Sequence, residues 1–374
     1  MVKAAVLKGV EQVEIMEFPK PKVAKDCALA RVEVCGICGS DPHIYQGHLP
    51  VPYPIILGHE VSLILEEMGP EYPRHDVLGN PVKEGDRVAL VPAYNCGKCV
   101  VCKLQPQRHN LCEKGECYGV TLQCSKEPHL FGGYAEYMYL YPEAWIYKCP
   151  EGMSAEVLAL ADPLAVGLRG LDAACSPGLP WAREGFGVGK TVLIQGLGTI
   201  GILTAAAAKA AGASAVYAID GVKSRIDMSY KFGVDEVIDF NEYKTPEERL
   251  ARVNKLTNGM GCDVVIELAG VPAVFQEAIN LTRRGGKLIE LGHYTDVGTI
   301  PINPQVISFR EIEIVGLWAY AAPELGTAIS LIQQTMDRFP YADLITHRYH
   351  IDEADQALKE ARDRNCIKSV ILGK

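Results

Sequence analysis

Residues 191–210 read TVLIQGLGTIGILTAAAAKA, and the fold turns on how that stretch is parsed. TVLIQ is a short apolar run rich in β-branched residues, which predicts a buried strand. The alanine-rich stretch from Gly198 predicts a helix. Between them stand Gly196, Gly198 and Gly201, spaced G-x-G-x-x-G. Glycines gather in many turns by chance, so the spacing alone says little, but its place between strand and helix gives it meaning. AVYAID follows as a second strand and ends on Asp220, 24 residues beyond Gly196. In this setting the glycines permit a tight turn and close approach of backbone to a pyrophosphate, whose charge meets the helix N-terminus. Asp220 would hold the adenosine ribose hydroxyls and repel a 2′-phosphate, so NAD is expected over NADP. Lys223 and Arg225, just beyond the strand end, weigh the other way, and Arg225 is counted with the cofactor residues.

Outward from this motif the texture differs on the two sides. After Pro163 strands and helices alternate (TVLIQ, AVYAID, DEVID, CDVVIELAG and GKLIELG as strands), which predicts an α/β doubly wound parallel sheet. Before it, VKAAVLK, ALARVEV, VSLILEEM and DRVALV are short β-rich runs punctuated by Gly and Pro, which predict an antiparallel β domain. From about Pro323 a helix, a short strand region and a final strand KSVILG are expected. WAREGFGVGK (181–190) reads as a surface connection.

A chain of 374 residues has room for two domains with separate cores. The net charge of −9 argues against nucleic-acid or acidic-membrane partners, because neutralising phosphates needs a basic surface. The first residues alternate charge and apolarity, unlike a signal peptide, and the longest apolar stretch is interrupted by Lys209 and glycine, so a soluble, cytoplasmic protein is expected. Thirteen cysteines, an odd number, point to metal clusters rather than disulfides in that setting.

Cys96, Cys99, Cys102 and Cys112 are spaced three, three and ten apart. Four thiolates so close in sequence can close a tetrahedral zinc site with no open position, which makes it structural. His109 could replace one thiolate, though Cys112 is the better ligand. A catalytic zinc instead needs three ligands from separated segments and an open position. Cys38 in CGICGSDPHIY (35–45) supplies one, and His59 in Gly58-His59-Glu60 a second. Asp162, where the two textures meet, offers a carboxylate as a third.

With G-I-C-G-S-D-x-H, G-H-E, G-D-R-V, C-x2-C-x2-C-x9-C, G-G-Y-A-E-Y, D-P-L-A-V, G-L-G-T-I-G and K-S-V-I-L in this order, the chain resembles the zinc-dependent medium-chain alcohol dehydrogenases over essentially its whole length. The resemblance implies a GroES-like catalytic domain split between residues 1–160 and 320–374, carrying a structural zinc lobe at about 94–113. It also implies a Rossmann domain over 161–319, and a homodimer or homotetramer. It makes Cys38 and His59 zinc ligands and places Asp162 where relatives carry Cys or, in the polyol and threonine dehydrogenase branches, Glu. Asp162 is expected to bind zinc directly, the alternative being through a water. Glu60 is the adjacent acid that stands behind the zinc or binds it transiently. Cys35 has no role in the family and reads as a buried thiol.

The implied activity is NAD-dependent oxidation of a secondary or polar alcohol (polyol-like, hydroxy-amino-acid-like or cyclic) to a ketone. Zinc would polarise the hydroxyl, and Ser40, the cofactor ribose and His43 would relay its proton. Thr199 and Ile200 would pack near the cofactor, Lys368 would approach its pyrophosphate, and Gly292 and His293 would lie near the nicotinamide. Tyr45, His48 and Trp318 are candidate pocket walls. Two zinc ions per chain, one catalytic and one structural, are expected. The alternatives are a formaldehyde-dehydrogenase-like oxidoreductase of primary alcohols or aldehydes, and a zinc-stabilised binding protein without turnover. The last interval of the four-cysteine motif is two residues longer than is common in the family, so its loop should bulge. Segments 70–82, 113–130 and 174–187 are extra.

Overall fold

The computed structural model describes residues 1–175, 185–361 and 366–373. The chain forms two compact units, one of residues 1–163, 320–334 and 341–374, the other of 164–319 and 335–340. Most of the segment 174–187, and the first four residues of the WAREGFGVGK connection, lie outside the described residues.

The first unit begins with β1 (Val2–Gly9), β2 (Gln12–Phe18), β3 (Ala28–Gly36), the short α1 (Ser40–Tyr45), β4 (Ile55–Ile56), β5 (Glu60–Met68) and β6 (Arg87–Leu90). There follow β7 (Ala93–Tyr94), α2 (Val100–Leu104), β8 (Glu116–Cys117), β9 (Tyr137–Leu140), β10 (Ile146–Lys148) and α3 (Ala155–Ala159). The second unit takes up α4 (Ala161–Cys175) from its fourth residue and continues with β11 (Thr191–Gln195), α5 (Thr199–Ala210), β12 (Ala215–Asp220), α6 (Lys223–Lys231), β13 (Glu236–Asp239) and α7 (Pro246–Leu256). It goes on through β14 (Cys262–Glu267), α8 (Pro272–Leu281), β15 (Thr282–Glu290), α9 (Pro304–Arg310) and β16 (Glu313–Gly316). The chain ends with α10 (Ala322–Thr335), β17 (Ile345–His350), α11 (Ala354–Glu360) and β18 (Lys368–Leu372).

In the first unit β3 is central, pairing antiparallel with β5, β9 and β18, while β1, β2 and β4 make a separate small sheet. These strands and β6 bury Leu29, Val32, Leu63, Leu65 and Val88 in one core. The extra segment at 70–82 is a closed turn around Asp76, whose carboxylate accepts from Leu78 N, Asn80 N and Lys148 N. Segment 113–130 is fastened by Gln123, whose amide donates to Tyr53 O at 2.7 Å.

The second unit is the six-stranded parallel sheet β13-β12-β11-β14-β15-β16. The strand order reverses between β11 and β14, and such switch points open a crevice at the carboxyl ends of the strands. The GxGxxG turn is there, directly after β11. α7 starts with a full capping box: Thr245 Oγ1 accepts from Glu248 N at 3.2 Å while Thr245 N donates to Glu248 Oε2 at 3.0 Å. Two otherwise unpaired N–H groups are satisfied, so Thr245→Ala should lower the unfolding free energy of this unit by about 1 kcal/mol. Urea denaturation followed by circular dichroism measures it.

Candidate active site and cofactor site

The segment after β3 turns sharply, and Asp41 holds the turn. Its fully buried carboxylate accepts from Cys38 N at 2.9 Å and from the Tyr134 hydroxyl at 2.8 Å. Cys38 is thereby set at the mouth of α1, with Ser40 opening that helix and His43 three residues on. Cys35 goes another way. It is fully buried where β-carbons added at Gly58 or Gly133 would come within 2.6 Å of its sulfur, and burial pushes its thiol well up. The C-x-x-C is therefore not a pair.

β5 begins at the site and brings His59 and Glu60 with it. Single donor atoms of Cys38, His59 and Glu60 lie within 4.8 Å of one another. Glu60 thus stands with Cys38 and His59; sequence reading set it behind the zinc or binding it transiently. Asp162 lies outside this trio, and its carboxylate accepts a hydrogen bond from the Tyr320 hydroxyl. Burial foremost, and Glu60 beside it, push the Asp162 carboxyl up to about 7 against the pull of His59, Tyr320 and Lys368. His59 is buried, which works against its charged form, yet Cys38, Asp41 and Asp162 hold its imidazole well above the usual range. Lys368 differs from expectation. Its ammonium, 3% exposed, is ion-paired with Glu60 and donates to Ile37 O at 2.9 Å, so it is engaged with the metal-site acid.

The donors fit a zinc ion. Sulfur, nitrogen and carboxylate oxygen are its usual ligands. His59 Nδ1 and Asp41 Oδ1 are buried, lack hydrogen bonds and face each other at 3.9 Å. Acids crowded in this way with Lys368 as their permanent cation leave a charge deficit that a dication fills.

The four-cysteine lobe is closed around its sulfurs. Sγ–Sγ separations are 3.4 Å for Cys99–Cys102, 3.5 Å for Cys96–Cys112 and 3.8 Å for Cys99–Cys112. A tetrahedron with zinc–sulfur bonds of about 2.3 Å has edges of about 3.8 Å. Lys98 N and Cys99 N both donate to Cys96 Sγ at 3.4 Å and bring that thiol down to about 6, while burial pushes Cys102 up to about 12. α2 and a 3-10 turn at His109–Leu111 carry the chain back to Cys112. His109 is not one of the cluster; its ring packs edge-on against Trp145.

In the second unit each glycine of the turn has its own reason. Gly196 has φ +95, a left-handed conformation that disfavours any side chain. A β-carbon at Gly201 would lie 2.0 Å from Gly196 O, so only glycine lets α5 come that close. At Gly198, the N-cap of α5, nothing lies within 4 Å of an added β-carbon, which leaves the helix N-terminus open to an anion. Thr199 and the half-buried Ile200 follow in the first turn. Asp220 ends β12, and its oxygens accept from Leu197 N (2.7 Å), Gly221 N (2.7 Å) and Val222 N (2.8 Å). The acid that sequence reading assigned to the ribose is thus also the clamp of the turn. Arg225 lies in the first turn of α6. Gly292 and His293 follow β15, where the His293 ring rests against Glu267 and Glu290.

Sequence reading missed Asp41 and Tyr320. Asp41 had a signal, its position three residues after Cys38; Tyr320 had none. Burial pushes the Cys117 thiol up to about 12, with the charges of Asp162, Cys38 and Asp41 adding to it against the pull of His59. Of the proposed walls, Tyr45 is a core residue bonded to Asp355 at 2.8 Å, His48 lies against His43 at 5.5 Å, and Trp318 is half exposed.

Residues 24–151 match the alcohol dehydrogenase GroES-like domain, and residues 199–334 match the zinc-binding dehydrogenase family. The chain is 35% identical to the 5-exo-hydroxycamphor dehydrogenase of Pseudomonas putida over 99% of its own length and 98% of that protein. It is 31% identical to the sorbitol dehydrogenase of Bacillus subtilis, over 99% and 97%. Among solved structures, an alcohol dehydrogenase from Thermotoga maritima matches with a TM-score of 0.92 and 29% identity, covering 100% of this chain and 99% of that one. With both domain types matched and relatives aligned from end to end, the chain belongs to the zinc-binding alcohol dehydrogenase family.

Proposed function

We propose that this alcohol oxidoreductase converts a polar or cyclic secondary alcohol to its ketone, with NAD as acceptor. The observation that carries the reading is the convergence of Cys38, His59 and Glu60 next to a helix that starts with Ser40 and His43. The relatives support the substrate class, since hydroxycamphor bears a ring hydroxyl and sorbitol is a polyol.

Bound zinc supplies a Lewis acid, able to lower the pKa of bound water from about 15.7 to about 7 and that of an alcohol comparably, and bound nicotinamide supplies the hydride acceptor. The residues do the rest. Cys38, His59 and one carboxylate hold the ion, and Asp41 fixes the Cys38 backbone and faces the imidazole of His59. Tyr320 holds the Asp162 carboxylate in place. Ser40 and His43, three apart on α1, lie on one face of the helix and give the hydroxyl proton its exit. Burial, and then His48, lower the His43 pKa, so its imidazole is neutral and ready to accept a proton at neutral pH.

Cys38→Ser should abolish NADH formation and reduce the zinc content from two ions per chain to one, with the four-cysteine lobe still loaded. Undiminished turnover, followed at the NADH absorbance band, would refute the zinc reading. His43→Gln should slow alcohol oxidation about a hundredfold at neutral pH. Because the His43 pKa is lowered, wild-type activity should fall only as pH drops below about 6.5, through the lowered value; a pH profile identical in the variant would exclude His43 from the relay. Asp220→Ser should raise the NADP-to-NAD ratio of kcat/KM about tenfold, an effect of ~1.4 kcal/mol. It should also lower the melting temperature, since three backbone N–H groups lose their acceptor.

A further inference from the structure

A third group of metal-type donors lies within the parallel-sheet unit and shares no residue with the other two. Glu267 is the last residue of β14 and Glu290 the last of β15, and the two are direct neighbours in the parallel register. His293 follows three residues later. One donor atom from each of the three lies within 4.8 Å of the others. Glu267 is fully buried, and its Oε1 accepts from Ala269 N at 2.7 Å and Gly270 N at 2.9 Å. Its Oε2 has no hydrogen bond and faces His293 Nδ1 at 3.4 Å. The same nitrogen is 2.9 Å from Glu290 Oε1, while Glu290 Oε2 and His293 Nε2 are also buried without hydrogen bonds.

Two features set this apart from an ordinary acidic patch. Among the described residues no Lys or Arg pairs with either carboxylate, so the fully buried Glu267 and the partly buried Glu290 face each other with a single imidazole between them. The loop after β15 is also pressed onto them: a β-carbon at Gly292 would lie 2.2 Å from Glu267 Oε2 and 2.5 Å from Gly270 N. A cavity of about 340 Å³, lined by Glu290 and His293 together with Phe275 and Asp296, gives access from one side and room for water ligands.

We propose that Glu267, Glu290 and His293 form a third metal site, one that takes a hard divalent cation of the Mn²⁺ type. Two carboxylates balance a dication, and an O₂N donor set without sulfur suits manganese over softer ions. Burial first and Glu290 second push the Glu267 carboxyl up to about 8.

The test is titration of Mn²⁺ into the zinc-loaded protein, with free Mn²⁺ read by electron paramagnetic resonance. One Mn²⁺ per chain should bind. Glu290→Gln should weaken binding by roughly tenfold or more. His293→Gln, at a partly exposed position, should do the same and decides the matter if the first variant misfolds. Zinc content should be unchanged in both variants, and Cys38→Ser should keep the Mn²⁺ uptake, which separates this site from the catalytic one. Absence of Mn²⁺ uptake, or uptake of equal strength in both variants, would overturn the proposal.

Discussion

The catalytic unit depends on one buried ion pair, Lys368 with Glu60. Both side chains are almost fully buried, at 3% and 2% exposure. A buried charge without its partner is costly, and breaking such a pair is far more damaging than never having it. The pair therefore binds the last strand, β18, to the start of β5, across β3 that lies between them in the sheet. It also holds Glu60 against Cys38 and His59. The same contact thus closes the central sheet and sets the charge on the metal site, which explains why a lysine so late in the chain belongs to chemistry centred near residue 40.

In the parallel-sheet unit, close approach of backbone sets the loops at the strand ends. Gly201 meets the Gly196 carbonyl, Gly292 meets Glu267, and Gly167 of α4 meets the Thr204 hydroxyl, each at a distance no side chain would allow. Loops that close leave backbone N–H groups crowded together, and those groups are satisfied by carboxylates: Asp220 takes three, Glu267 two. The acids at the strand ends are part of the loop architecture before they are anything to a ligand.

This division explains what could be read from the residues alone. The GxGxxG turn and the four-cysteine lobe are local, each written in a run of about twenty residues or fewer, and the parallel sheet is a succession of such local strand and helix patterns. Cys38 and His59 were legible as donor types, and Ser40 and His43 as their neighbours. The rest was not local. Tyr320 reaches Asp162 across 158 positions and Lys368 reaches Glu60 across 308, and neither distance leaves a trace in sequence. Helix α4 was not foreseen; it holds Pro163 in its first turn and Gly167 and Gly170 in its middle. Proline is tolerated in the first turn of a helix, and Gly167 is there for its neighbour. Asp41 was passed over because Ser40 and His43, on either side of it, had the more familiar chemistry.

The position of β18 has a consequence for the order of events during synthesis. The whole sheet of the second unit, from β11 to β16, is encoded by residues 191–316 without a break, so that sheet can be completed as soon as those residues have been made. The central sheet of the first unit cannot, because β18, residues 368–372, fills the place between β3 and β17. For as long as translation is short of it, β3 presents an open edge and Glu60 has no counter-ion. An unpaired edge of this kind is where strands from other chains add on. The unit begun first is thus the one finished last, and the ribosome carries a half-closed sheet until the final strand arrives.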